Sequence, residues 1–275
     1  MGNYKIVASD LDGTFLKSDR TVSEENWQAV EEMTKRGVQF VPCTGRTLYE
    51  MDSEIRDHPA VRYIIHSDGA VIYDKQTDAR ITMCMPHQTG IELLDILADY
   101  ELMPVVRHNK QAYLNAEHNT SERHAYYNVD GYYSPVLKSS AIPTEDFDAF
   151  CRGLDEIEMI NCFFHDCNEF DECMKRIMET GEFLVATNGR RYVEIFYVRA
   201  GKGNALIKLA QTIGLEPAQT IGVGDSSNDL TLVAQAGLGL AMENACDELK
   251  EAADQIICTN DEHAIQYILT HYIDG

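Results

Sequence analysis

Short apolar runs, each closed by a turn or cap residue, set the rhythm at the start of this chain. Ile6-Val7-Ala8 reads as a buried strand that closes by Gly13. Ser23 is placed to cap a helix through about Lys35, Gly37 stops it, and Val38-Gln39-Phe40-Val41 is the next strand. It runs into Pro42-Cys43-Thr44-Gly45-Arg46, after which a second helix is expected. Tyr63-Ile64-Ile65-His66 reads as a third strand, turning through Ser67-Asp68-Gly69-Ala70 into a hairpin partner, Val71-Ile72-Tyr73. Strand–helix alternation with short connections predicts a parallel sheet.

From about Ile81 the rhythm changes. A helix from Pro86-His87 through Tyr100 precedes short strands at Val105-Val106 and Ala112-Tyr113-Leu114, and the stretch from His124 to Pro135 reads as irregular. Helices at 145–154 and 168–179 then alternate with strands at 157–164 and 183–186, which suggests an α+β insertion. From Tyr192 the first rhythm returns. A strand is expected at 193–196, a helix from Gly201 to Ile213 and a strand at 220–224. A helix to Ala236, a strand at 239–242, a helix from Ala245, a strand at 255–257 and a final helix complete the pattern. The expected division is therefore one α/β core made of residues 1–83 and 190–275, with residues 84–189 inserted as a second domain.

A net charge of −22 on 275 residues excludes ready association with nucleic acid or anionic membranes. No apolar stretch approaches membrane-spanning length, no signal peptide is visible, and Ile6 stands where myristoylation at Gly2 would want Ser or Thr. The eight cysteines form no Cys-x-x-Cys pair, and the grouping of Cys162, Cys167 and Cys173 with His165 lacks metal-site spacing. Reduced thiols and a cytoplasmic location are the expectation, for a monomer or small homo-oligomer.

Chemistry concentrates where the expected parallel strands end. Asp10-Leu11-Asp12-Gly13-Thr14 follows the first strand, Thr44-Gly45 the second, and Gly224-Asp225-Ser226-Ser227-Asn228-Asp229 a later one, while Lys202 opens a helix. Open α/β sheets bind ligands outside the carboxyl ends of their strands. Taken singly, each piece has a bland reading: an acidic turn, a helix cap, a solvated lysine. Together, Asp10, Asp12 and Asp225 would supply oxygens for one Mg²⁺. Thr44 and Lys202 would offset the charge of a phosphate, with free backbone N–H groups expected at the Thr44-Gly45 turn. A carboxylate nucleophile is already ionised at pH 7, and a second acid beside it can protonate the leaving alkoxide and then activate water.

These four segments resemble the four motifs of the haloacid dehalogenase superfamily, and specifically its Cof-type phosphatases. The match runs through Asp10-Leu11-Asp12-Gly13-Thr14, Thr44-Gly45-Arg46, Gly201-Lys202-Gly203-Asn204-Ala205 and Gly224-Asp225-Ser226-Ser227-Asn228-Asp229. The resemblance implies a Rossmann-like parallel-sheet core with an inserted α+β cap, and a Mg²⁺-dependent phosphatase working through an aspartyl phosphate. It implies Asp10 as nucleophile and Asp12 as acid/base, with Mg²⁺ held by the Asp10 carboxylate, the Asp12 backbone carbonyl and Asp225. Phosphate would be met by the Leu11 backbone, Thr44, Gly45, Lys202 and Asn228, with Thr14 and Asp229 steadying the site. One departure stands out: where the subfamily reads Asn-Gly-Ala, this chain has Asp68-Gly69-Ala70.

The implied substrate is a small phosphorylated metabolite such as a sugar phosphate. The alternatives are a phosphotransferase or mutase of the same superfamily, or a non-catalytic sensor of a phosphometabolite. Arg107, His108, His118, Arg123, His124, Tyr126-Tyr127 and Tyr132-Tyr133 could line a substrate-facing cap surface, or be ordinary surface and packing.

Overall fold

The strand Ile6–Ser9 is buried along its whole length and runs parallel to a neighbour on each side. In this computed structural model, which describes residues 3–129, 131, 133–187 and 189–274, it is a central strand of a five-stranded parallel sheet. The spatial order is Gln255–Ile256, Leu238–Ala241, Thr220–Gly224, Ile6–Ser9, Gln39–Pro42. Near-continuous apolar runs suit strands covered on both faces. In register, Ser9 lies opposite Val223 on one side and Pro42 on the other, so three strands reach their carboxyl ends together. The ladder continues past them: Asp10 N–H donates to Val223 O at 3.0 Å and Cys43 N–H to Ser9 O at 2.8 Å. A parallel bridge between Cys43 and Ile65 brings in Tyr63–His66, first strand of an antiparallel meander with Val71–Asp74 and Ala79–Thr82.

The helix Glu24–Lys35 shows how the sequence sets the packing. Ser23 accepts a bond from the Asn26 N–H, acidic Glu24 and Glu25 occupy the first turn, and Asn26, Ala29, Val30 and Met33 form the buried stripe. All this belongs to one compact unit, made of Met1–Gly45, Asp52–Thr82 and Gly201–Gly275.

The second unit comprises Arg46–Met51 and Met83–Ala200. Its sheet runs Phe183–Thr187, Tyr192–Tyr197, Met159–Phe164, Leu102–His108, Gln111–Asn115, Ile142–Thr144, antiparallel except for the last pair. The helices His87–Leu97 and Cys167–Thr180 pack against each other within the same unit.

Three expectations are corrected. The strand expected at 193–196, assigned to the core, runs Tyr192–Tyr197 and pairs antiparallel with both Met159–Phe164 and Phe183–Thr187, so it belongs to the second unit. A strand flanked on both sides presents the same apolar run in either sheet, and periodicity does not say which. No long helix follows Arg46; the chain forms only the single turn Ser53–Arg56. Glu50 folds back instead, accepting the Thr47 N–H at 2.7 Å. The stretch read as irregular, from His124 to Pro135, holds the end of the helix Ser121–Tyr126 and the start of Tyr133–Ser140, while Tyr132 lies outside the described residues.

Candidate active site

Asp10 stands one residue past the central strand and is only 5 % exposed. Its Oδ1 accepts a bond from Lys202 Nζ at 2.7 Å, and the same ammonium donates to Asp229 Oδ1 at 2.6 Å. Lys202 is 0 % exposed, which sets aside the bland reading of a solvated lysine at a helix end. Its helix starts flush against Leu230–Gln235, because a Cβ at Gly203 would lie 2.0 Å from Thr231 O.

Asp229 spends its other oxygen on the backbone. Oδ2 accepts the N–H groups of Asp225 (3.0 Å) and Ser226 (3.1 Å), which fixes the turn after Thr220–Gly224. Asp225 in turn is aimed across to the first motif, where Thr14 Oγ1 donates to its Oδ1 at 3.4 Å. Gly13 makes room for this. It takes φ +81°, and a Cβ there would meet Asp225 Oδ2 at 2.4 Å. Acids 215 residues apart, Asp10 and Asp225, are thereby gathered with Asp229, one oxygen of each lying within 4.8 Å of the others.

The charges do not balance. Three carboxylates face one ammonium. Burial, reinforced by Asp229, Asp225 and Asp12, pushes the Asp10 carboxyl well above its usual range even against the pull of Lys202. Asp225 is pushed up to about 7 by burial and by the Asp229 charge. Burial should lower Lys202, yet Asp10, Asp229 and Asp68 raise it well above the ordinary lysine value. An all-oxygen donor set with uncompensated negative charge fits a hard divalent cation such as Mg²⁺. With Asp229 committed to Lys202 and the backbone, Asp10 and Asp225 are the carboxylates available to such an ion.

The remaining predicted residues surround this cluster. Asp12 is exposed beside it, and Leu11 is buried with its carbonyl accepting the N–H groups of Thr14 and Leu16. Thr44 is buried, but its N–H is spent on Ile65 O at 3.0 Å, so it is not one of the free donors expected at that turn. Asn228 reaches Asp68, its Nδ2 donating to Asp68 Oδ1 at 3.0 Å. Gly45 lies under the same carboxylate, where a Cβ would sit 3.1 Å from Asp68 Oδ2. In the sequence Asp68 stands out only as a departure from a pattern. Its fully buried place among these loops depends on a left-handed backbone (φ +48°, ψ +41°), hinted at only by the Asp-Gly dipeptide.

In the second unit, Arg107 is not a surface residue. It is 3 % exposed, holds both carboxylate oxygens of Glu50 at 3.1 and 3.2 Å, and also bonds Asn161. Asn161 continues to Glu194 and Tyr192, and Tyr192 to Tyr133. His124 is buried and bonded to Ser134, and His108 to the Glu156 carbonyl.

A model of the haloacid dehalogenase-like hydrolases matches residues 7–269. This chain belongs to that family. As a haloacid dehalogenase-like hydrolase it is an enzyme of the phosphatase kind, and its relatives bear names to match. It is 26 % identical to the 5-amino-6-(5-phospho-D-ribitylamino)uracil phosphatase YwtE of Bacillus subtilis, over 98 % of this chain and 99 % of the relative. It is 23 % identical to the HMP-PP phosphatase of Klebsiella pneumoniae, over 98 % and 96 %. Among solved structures, a haloacid dehalogenase-like hydrolase from B. subtilis superposes with a TM-score of 0.80 at 24 % identity, covering 98 % of this chain and 99 % of that one. The subclass IIB sugar phosphatase BT4131 gives 0.80 at 17 %, with 98 % of each chain covered. These last two likenesses concern the fold, the family's parallel-sheet α/β architecture.

Proposed function

We propose that this enzyme is a Mg²⁺-dependent phosphatase that hydrolyses a small phosphorylated metabolite through an aspartyl phosphate on Asp10. The convergence of Asp10, Asp225 and Lys202 from three distant parts of the chain carries the reading. The name of the B. subtilis relative YwtE, which prints a 5-phosphoribityl compound, supports a phosphomonoester as substrate, with a sugar phosphate or similar compound the natural class to test.

Asp10 and Asp225 would hold the ion with the Asp12 carbonyl, and Mg²⁺ when bound supplies positive charge against the acids and the incoming phosphate. Asp10, held by Lys202 in a fixed orientation, attacks phosphorus as the bond to the substrate oxygen breaks. Asp12, exposed beside it, gives that oxygen its proton, then takes one from the water that cleaves the acyl phosphate and returns Asp10. Lys202, the Thr44 hydroxyl and the Asn228 amide offset charge on the transferring group. Asp229 anchors Lys202 and the Asp225 backbone, and Thr14 orients Asp225.

The test is phosphate release from p-nitrophenyl phosphate and a panel of phosphorylated metabolites, with Mg²⁺ and with chelator. Turnover should need the metal and vanish in Asp10→Asn. Metal-independent release, or an active Asp10→Asn protein, would refute the mechanism.

A further inference from the structure

The turn Ser67–Gly69 joins three of the loops just described, and Asp68 is where they meet. Its N–H donates to Thr44 O at 3.1 Å, its carbonyl accepts the Gly201 N–H at 2.9 Å, and its Oδ1 accepts Asn228 Nδ2 at 3.0 Å. The turn is seated closely, for a Cβ on Gly69 would lie 2.3 Å from Gly201 O. Both Ser67 (φ +51°) and Asp68 (φ +48°) adopt a left-handed backbone that non-glycine residues rarely take. Strain of this kind persists only where the surroundings over-determine it. Asn228 is held at both ends of its amide, since its Oδ1 also accepts from Ser226 Oγ at 2.7 Å. With one Nδ2 hydrogen on Asp68 and the oxygen on Ser226, the second Nδ2 hydrogen has a fixed direction.

We propose that Asp68 is a positioning residue of the phosphate site: its carboxylate orients the Asn228 amide as a donor to phosphate, and its backbone ties the Thr44 loop to the Lys202 helix. The carboxylate also places a negative charge beside Gly45, so it weakens the hold on the dianionic product. The inference rests on the phosphatase reading above and adds a residue and a role to it.

The experiment is a double-mutant cycle on p-nitrophenyl phosphate hydrolysis with Mg²⁺, using Asp68→Ala, Asn228→Ala and the double variant. Asp68→Asn, which keeps an acceptor oxygen, is measured alongside. Each alanine variant is expected to lose about 10-fold or more in kcat/KM. The double variant should lose no more than the worse single, because the residues act as one unit. Asp68→Asn should recover most of the loss and bind inorganic phosphate about threefold or more tighter as an inhibitor, since a like charge is gone. Multiplicative losses in the cycle, or an Asp68→Asn no better than Asp68→Ala, would overturn the proposal.

Hydrogen exchange of the Asn228 side-chain amide, followed by NMR, reads the same contact without turnover. Protection in the wild type that is lost in Asp68→Ala supports the positioning role, and protection that is unchanged overturns it. A wild-type protein that releases no phosphate under any condition refutes the phosphatase reading instead, and leaves the amide measurement to decide the role of Asp68.

Discussion

Each unit buries a cluster of charged side chains, and the two are built on opposite principles. In the first unit Lys202 faces Asp10, Asp229 and, a little further off, Asp225, so negative charge is in excess. In the second, Arg107 takes both oxygens of Glu50, and its other contacts are neutral or shared through Asn161. Burial is similar, yet the acids respond in opposite directions. Asp225 is driven up to about 7 by burial and the Asp229 charge. Burial also works to raise Glu50, but Arg107 and Thr47 outweigh it and hold the carboxyl below its ordinary value. A compensated pair makes structure, and an uncompensated cluster holds electrostatic energy that a bound cation would relieve.

The contrast breaks most visibly at the two cations. Lys202→Met should cost at least about 1,000-fold in kcat/KM, because Asp10 loses its orienting partner and the phosphate its counter-charge. Arg107→Met leaves Glu50 buried without its cation, and should destabilise the second unit by about 3–5 kcal/mol. Chemical denaturation followed by hydrogen exchange in each unit checks this. Loss of protection confined to the first unit would contradict it.

The acids sharpen the comparison further. Asp225→Asn removes a charge that burial and Asp229 oppose more strongly than Lys202 and Thr14 support it in the absence of metal. The metal-free variant should therefore melt a few °C higher than metal-free wild type, on the order of 1 kcal/mol. Its melting temperature should no longer respond to Mg²⁺, as a thermal scan with and without the ion will show.

The smallest effect is in pH. Asp225 has a folded value near 7 against 3.8 for the free side chain, so the metal-free folded state binds the extra proton between those values. The first unit should gain stability as pH falls from about 7 towards 4. Added Mg²⁺ competes with that proton and should bind more weakly as pH drops through the same window. Glu50 works in the other sense. Its folded value lies below 4.5, so its contribution is complete above that pH and is lost as pH falls through the folded value. Exchange protection of the first unit should therefore rise as pH falls from about 7 towards 4, while that of the second stays level down to about 4.5 and falls only below it; a matching rise in both units would dissolve the contrast.

Much of the first cluster was legible because strand-end acids and a helix-opening lysine sit in motifs with fixed order. Asp10, Asp225, Asp229 and Lys202 meet as expected, although Lys202 is deeper than a solvated helix end. Of the second cluster the sequence showed Arg107 and Tyr133 only as possible cap-surface residues, and nothing of the pairing with Glu50. Glu50 and Arg107 are 57 residues apart, and no periodicity links a turn glutamate to a strand arginine. The same turn explains why the helix expected after Arg46 is missing: Glu50 caps back onto Thr47 instead of continuing. Tyr192–Tyr197 was assigned to the wrong sheet because a strand with neighbours on both sides shows no mark of its partners. Asp68 was visible as a letter and hidden as a role, since its contacts depend on a backbone conformation that only the folded turn reveals.

The strand order of the parallel sheet also sets a timetable. Ile6–Ser9 is made before both of its neighbours; Gln39–Pro42 follows soon after, but Thr220–Gly224 is made only after the whole inserted unit. Throughout that interval one side of the strand that carries Asp10 has no ladder to join, while the inserted unit can complete its own sheet between Leu102 and Tyr197. The sheet beside Asp10 thus closes only after the inserted unit has been made, and a nascent chain stalled before Thr220 would expose a bare apolar edge where the finished protein gathers Asp10 and Asp225.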